Sequence, residues 1–423
     1  MEKCINWHGL PCISFDDGKS AIFTNINHDL KICKLETEKL LDPQTYFEVA
    51  NLGGFDCLNS TMPIQDEFTL VLSLTEKCNA ACKYCFLDAQ TEGKTMSKEL
   101  IKETLKYIAE TYPNRKINIA AFGGEPSTVP DLVRIMVAYA EEIMPERVRF
   151  SITTNGYFND DFCDFLIEKS FHVSLSMDGI PEVQRIQRPS QFSIEQLEKN
   201  IRKIFQANKA HSKIRSTVTS YSVSHMLESV DYLSSLGVKK VHFEPVTPGG
   251  RAEKQTKFTE QATPEIFVQE LKKCIEKGSQ KGIDIISFPY MNMMVAPVVF
   301  CDGNVQNRLV VGASGVLSTC VEVQNRKHPL YPYLGVGFFN FEKNKFVFEY
   351  NNRRPFCRGC SSLTRTTECK NCAFNFFCAG GCPTRNYRGT QNTQEISQYR
   401  CTITKLIMPY ILEKYYKATF ENK

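Results

Sequence analysis

The stretch LTEKCNAACKYCF, Leu74 to Phe86, carries Cys78, Cys82 and Cys85 in the spacing C-x3-C-x2-C. It directly follows FTLVLSL (68–74), an apolar and β-branched run that reads as a buried strand. Two thiols would suit redox exchange, and four would close a metal site. Three thiolates leave one iron of a four-iron cubane without a protein ligand, an opening at which a small molecule binds the metal directly. Structural zinc wants four ligands, and no His lies nearby.

Outward from this loop, β-like runs alternate with helical patterns. KINIAAF (116–122), VRFSITT (148–154), FHVSLSM (171–177), KIRSTVT (213–219) and KKVHFEP (239–245) continue the strand series. Between them, SKELIKETLKYIAETY places Leu100, Ile101, Leu105 and Ile108 on one face, with Ser97 as its cap. SVSHMLESVDYLSSLG is expected to stop at Gly237. ATPEIFVQELKKCIEKG has Thr263 as cap and Pro264 at the first position, with an expected stop at Gly278. Six β–α units predict a parallel sheet with right-handed crossovers. The expected fold class is therefore α/β, a partial (β/α)6 TIM-like barrel over residues 66–290, with its active site at the C-terminal ends of the strands.

Residues 1–65 read as a small N-terminal module, a hairpin about TNINHD followed by a helix-like stretch, KLETEKLLDPQTYFEV. Residues 291–423 are cysteine-rich with little periodicity until TITKLIMPYILEKYYKATF, a closing helix expected to break near Pro409.

The 423 residues suffice for two or three domains, and a net charge of +4 argues for neither nucleic acid nor an anionic membrane as partner. No apolar run approaches a membrane span, and MEKCINWHGLPCISF has no signal-peptide pattern, so a cytoplasmic setting with reduced thiols is expected. Eighteen cysteines then need a reason other than disulfides. Six are scattered, and twelve gather in two groups, which reads as iron–sulfur or other metal ligation. His8, His172 and His242 read as satisfied structural histidines.

Several marks in register resemble the radical SAM superfamily. They are C-x3-C-x-aromatic-C with Tyr84, FGGEP (122–126), TTNG (153–156) and SLSMDG (174–179), each at a strand end. The resemblance implies that a 4Fe-4S cluster on Cys78, Cys82 and Cys85 chelates S-adenosylmethionine through its open iron and cleaves it to a 5′-deoxyadenosyl radical. It places Tyr84 near the adenine and Gly123, Gly124 and Glu125 near the methionyl amino group. Asn155 and Ser176 are placed near the ribose or carboxylate, and Arg188 is a candidate partner for that carboxylate.

The second group is Cys301, Cys320, Cys369, Cys372, Cys378, Cys382 and Cys401, with CKNCAFNFFCAGGC at its centre. It resembles the SPASM extension of radical SAM enzymes, which implies two auxiliary 4Fe-4S clusters, three clusters in all. By that resemblance Cys301, Cys320 and Cys382 hold one auxiliary cluster and Cys369, Cys372, Cys378 and Cys401 the other. The fourth ligand of the former is left between Cys357, Cys360 and an open iron.

SPASM enzymes mostly modify peptides and proteins. The resemblance implies a maturase that cross-links a ribosomally made precursor peptide through a thioether or carbon–carbon bond, a net two-electron oxidation. FEPVTPGGRAE (243–253) is also similar to that group. A reducing partner such as flavodoxin or ferredoxin would supply the electron. Sulfatase-type formylglycine formation is an alternative, although Val321 stands where those enzymes carry an acid, with Glu322 one place on as the candidate base. Peptide epimerisation is another, and an electron-transfer or zinc scaffold is the non-enzymatic one.

Overall fold

The computed structural model describes residues 3–7, 10–15, 17–26, 29–42, 49, 67–207, 211–253, 256, 258–291, 307–349, 367–378, 380–392 and 395–420. The chain divides into two compact units. One comprises residues 1–64, 287–305 and 355–423, the other 65–286 and 306–354.

The first unit opens with an antiparallel four-stranded sheet, β1 (Lys3–Trp7), β2 (Leu10–Ser14), β3 (Lys19–Ile26) and β4 (Asp29–Glu36), in that order. The expected hairpin is β3–β4, and β1–β2 adds a second that the sequence reading missed. A 3-10 turn at Thr37–Leu41 follows, within the expected helix-like stretch, of which residues 43–48 lie outside the described residues. Trp7 Nε1 donates to Leu40 O at 2.9 Å, tying that turn back onto β1. In the same unit, short helices at Thr367–Lys370, Asn375–Cys378 and Pro383–Thr390 precede one long helix, Gln398–Phe420. That helix runs through Pro409 without a break, correcting the expected interruption. A proline removes a single N–H bond, and the packing of Ile403, Ile407, Met408, Leu412 and Tyr416 spans the site of the loss.

The second unit is built on an eleven-stranded sheet. All six expected strands form: β5 (Glu67–Thr75), β6 (Lys116–Gly123), β7 (Val148–Thr154), β8 (His172–Ser176), β9 (Lys213–Val218) and β10 (Lys240–Pro245). They pair in parallel in sequence order. β11 (Asp284–Ile286) extends the series beyond β10. On the other side, β12 (Arg308–Val311) lies parallel to β5, and β13 (Val316–Ser318), β14 (Gly335–Asn340) and β15 (Lys345–Phe348) continue antiparallel. Thus residues 306–354, grouped with the cysteine-rich segment in the sequence reading, extend the barrel sheet. β11 and β12 do not pair with each other among the described residues, so the sheet is an open α/β barrel wall.

Capping follows side-chain chemistry. Ser97 accepts from Leu100 N, and Thr263 accepts from Ile266 N with Pro264 next in line. The helix begun at Pro264 runs past Gly278 to Lys281 and ends on Gly282 at φ +65°. At Gly278 a Cβ would lie 2.6 Å from Ile285 Cγ1, so that glycine serves the packing of β11 against the helix.

The two faces of the wall differ. Leu70, Ile119, Ile152, Leu175, Ile214, Val241 and Phe243 are almost fully buried on one face, the side of the apolar helix stripes. On the other, Thr69, Asn118, Ser151, Thr153, Ser174, Arg215 and Thr217 are half-buried. Strand alternation thus gives an apolar outer layer and a polar, partly solvated lumen. Among the described residues no helix is long and apolar enough to cross a membrane.

Candidate active site

The three-cysteine loop leaves β5 at Thr75. Cys82 is buried and Cys78 and Cys85 half-buried, packed with Ala80, Tyr84, Val246 and Ala252. Burial pushes the Cys78 thiol up to about 12, an effect that Glu125, Cys82 and Cys85 add to. Three thiols thus share one apolar pocket at the C-terminal mouth of the sheet.

The loop is held from several strand ends. The FGGEP segment lies against its start: Gly124 N donates to Thr75 O at 2.7 Å and Glu125 N to Lys77 O at 2.8 Å. A Cβ on Gly124 would stand 2.2 Å from Lys77 O, and one on Gly123 2.3 Å from Thr75 O. These glycines are required by the approach of one main-chain segment to another. Glu125 is 2% exposed. Its Oε1 accepts from Ser127 N and from Thr154 Oγ1 at 2.7 Å, and its Oε2 from Asn155 N at 2.6 Å. Burial raises its pKa, and these hydrogen bonds oppose the rise. Asn155 Nδ2 in turn donates to Asn79 Oδ1 inside the cysteine loop at 2.7 Å. Ser176 is buried at the end of β8, beside Arg215 in register.

Asp178 is the hub that sequence reading missed, although it sits in the quoted SLSMDG. It accepts from the Tyr84 hydroxyl, from Gln187 Nε2 at 2.7 Å, from Arg188 Nε at 3.1 Å and from Thr217 N at 2.9 Å. Arg188 also stacks 5.2 Å over the Tyr84 ring and reaches Cys82 Sγ at 3.5 Å. Tyr84 and Arg188, both singled out from the sequence, are therefore joined through Asp178. Burial holds the Tyr84 hydroxyl well above its ordinary pKa, with Asp178 adding to the rise against Arg188.

Arg251 closes the loop from the other side. Its Nε donates to Asp88 Oδ1 at 2.8 Å, Nη1 to Cys82 O at 2.9 Å and Nη2 to Ala89 O. Its own N–H binds Cys85 O at 3.0 Å. Gly250, at φ +55°, would bring a Cβ within 2.4 Å of that same carbonyl. The signal was in the sequence as PGGRAE, whose role only the fold reveals.

In the other unit, Cys369, Cys372, Cys378 and Cys401 line one cavity with Phe374 and Ile396. Burial raises the Cys378 thiol to about 12, with the other three thiols close enough to add to it. Cys382 occupies the N-cap position of the helix that starts at Pro383, with no side-chain cap bond. Cys320 lies half-buried after β13, its carbonyl accepting from Ser318 Oγ at 2.9 Å, and Glu322 is buried in the turn that follows. Cys301, Cys357, Cys360 and His8 lie outside the described residues.

Among the described residues, no three His, Cys, Asp or Glu side chains close around a single metal ion. All-thiol sets gathered in apolar pockets fit a larger sulfur-bridged cluster.

The family model of the radical SAM superfamily matches residues 72–232, from β5 to the helix before β10. This stretch is a radical SAM domain. A cysteine-type anaerobic sulfatase-maturating enzyme of Clostridium perfringens is 24% identical over 369 residues, 81% of this chain and 95% of that enzyme. A probable GTP 3′,8-cyclase of Methanococcus maripaludis is 30% identical over 183 residues, 42% of this chain and 59% of that protein. The match to that cyclase thus spans less than two thirds of its length. Among solved structures, native anSMEcpe with bound AdoMet has a TM-score of 0.66 at 18% identity, covering 84% of this chain and 100% of that one. Streptococcus suis SuiB bound to precursor peptide SuiA has a TM-score of 0.54 at 11% identity, covering 90% and 96%. Both likenesses are of fold alone.

Proposed function

We propose that this chain is a radical SAM/SPASM peptide maturase that forms an intramolecular cross-link in a ribosomally made precursor peptide. The observation that carries the reading is the pairing of two all-thiol sites, the three-thiol loop at the sheet mouth and the four-thiol cavity lined by Cys369, Cys372, Cys378 and Cys401. Cys78, Cys82 and Cys85 would hold a cluster that, with S-adenosylmethionine bound, would supply a 5′-deoxyadenosyl radical, and auxiliary clusters would suit a reaction with a net loss of two electrons.

The chain's own residues set the stage for this. Glu125 fixes the TTNG strand end through Thr154 and Asn155. Asp178 orients Tyr84 and holds the Arg188 guanidinium beside Cys82. With its carboxylate already accepting three main-chain or hydroxyl donors, Glu125 serves as an organiser of backbone amides rather than as a free base. The half-buried polar side chains of the lumen wall offer an extended peptide hydrogen-bonding partners below the loop. A flavodoxin or ferredoxin would deliver the electron.

A second reading, formylglycine formation, is favoured by the alignment covering 95% of a sulfatase-maturating enzyme. One experiment separates them: anaerobic co-expression with a short cysteine-containing peptide encoded beside the gene, followed by product mass. Loss of two hydrogens with fragmentation blocked between two residues means a cross-link. Loss of the cysteine sulfur means formylglycine, and deuterium uptake in heavy water with no other change means epimerisation. Absence of 5′-deoxyadenosine would overturn all three.

A further inference from the structure

The lumen wall of β9 and β10 carries charge that the cysteine loop does not use. Register places Arg215 beside His242 and Thr217 beside Glu244, while Lys213 lies beside Ser174 of β8. Neighbours in a parallel ladder share a face, and the alternate residues Ile214, Val241 and Phe243 are buried against the helices. Lys213, Arg215, His242 and Glu244 therefore all face the lumen.

Most charges on this wall are matched. Arg149 pairs with Glu67, Lys240 with Asp284, and His242 Nε2 meets Glu244 Oε2 at 3.1 Å. Lys213 is different. Among the described residues no carboxylate pairs with it, and the charged groups that act on it, Arg215 and Lys240, are both cations. Desolvation and this repulsion lower its pKa. His172 and His242 also feel Lys213, so these groups form one patch. A half-buried ammonium held among like charges is unfavourable by itself, and a bound anion reverses the sign of that interaction.

We propose that Lys213, beside Arg215, seats a carboxylate of the peptide substrate on the lumen wall and so selects which peptide segment reaches the cysteine loop. The inference rests on the peptide-maturase reading and names the substrate class more narrowly: a peptide with an acidic group at a set distance from the residue attacked. Lys213 opens β9 and the cysteine loop lies at the far ends of the strands. Five residue steps at about 3.3 Å put the two ends of β9 roughly 16 Å apart. The acidic group thus lies roughly five residues from the reacting residue in an extended peptide.

The test uses the anaerobically reconstituted full chain and fluorescein-labelled Gly-Ser peptides with one cysteine. Each carries Glu or Gln five residues to either side of the cysteine, with a free or amidated C-terminus. Binding is read by anisotropy, and 5′-deoxyadenosine is measured in the same samples. The wild type is expected to bind a carboxylate-bearing peptide about tenfold more tightly than its neutral twin. Preference for Glu over Gln assigns a side chain, and preference for the free terminus assigns the peptide end. Lys213→Met is expected to abolish the preference and Lys213→Glu to invert it, while Lys343→Met on the exposed β14–β15 turn keeps it. Equal binding of charged and neutral peptides by the wild type, or a preference that survives Lys213→Met, overturns the subsite. Missing 5′-deoxyadenosine overturns the maturase reading instead, whatever the peptides do.

Discussion

The guanidinium of Arg251 donates to the main-chain carbonyl of Cys82 at 2.9 Å. The same side chain holds Asp88 and the Ala89 carbonyl, so one residue after β10 fixes both halves of a loop that leaves β5. Lysine cannot make this fork of contacts. Arg251→Lys is expected to lower iron retained per chain after anaerobic reconstitution and to lower 5′-deoxyadenosine formation about tenfold, as a drop of about 1.4 kcal/mol in loop order implies. Iron content and the reduced-cluster EPR signal are the readouts. Unchanged values for both would show that the loop orders itself without the clamp.

The Asp178–Arg188 pair is nearly solvent-free, with side chains 0% and 11% exposed. Removing one partner of such a pair strands the other charge. Asp178→Asn is expected to cost about 3–5 kcal/mol in a denaturant titration. Tyr84→Phe leaves one acceptor site of Asp178 unfilled and should cost about 1–3 kcal/mol. Equal, small losses for both would mean that the hub is wetter than its burial indicates.

Gly124→Ala puts a methyl 2.2 Å from Lys77 O, a main-chain atom that cannot move aside without moving the cysteine loop. The variant is expected to fold with the loop displaced and with little iron bound at Cys78, Cys82 and Cys85. Hydrogen exchange over residues 74–90 should rise. Wild-type exchange there, together with full cluster loading, would count against the close contact.

The two thiol sites should separate on mutation. Cys78→Ala is expected to abolish S-adenosylmethionine cleavage, while Cys369→Ala keeps some cleavage, loses about four irons per chain and gives no modified peptide. Robust cleavage by Cys78→Ala would sink the assignment of the loop.

Lys213 also predicts a pH effect on stability. Its folded pKa lies below the unfolded value, so between the two the unfolded chain binds more protons, and stability rises with pH. Lys213→Met removes that term. The variant should have a higher urea midpoint than the wild type near pH 7, with the gap closing towards about pH 10. A constant gap would show that neither burial nor Arg215 and Lys240 lower the Lys213 pKa.

Much of the barrel was legible because its signals are local. Six β-branched runs gave β5 to β10, and Ser97, Thr263 and Pro264 announced helix starts through side-chain chemistry that acts within a few residues. The short strands were not legible. β11 has three residues and β12 four, and each is a strand only because a partner lies alongside: β10 for one, and β5, more than two hundred residues away in sequence, for the other. Likewise Gly278 reads as a helix stop until Ile285 is seen packed where its side chain would be.

The sequence by itself determined which atoms are available for chemistry: three thiols in C-x3-C-x2-C, a second set around CKNCAFNFFCAGGC, and the GGE, TTNG and SMDG strand ends. Those spacings are fixed by the covalent chain. Only the tertiary structure decided what each residue does there. Asp178, Arg188 and Tyr84 became one hydrogen-bonded unit, Arg251 became the clamp on Cys82, and Lys213 became an unmatched charge on the lumen wall. The reason is physical: burial, register and charge balance belong to neighbours in space, and those neighbours come from strands tens to hundreds of residues apart.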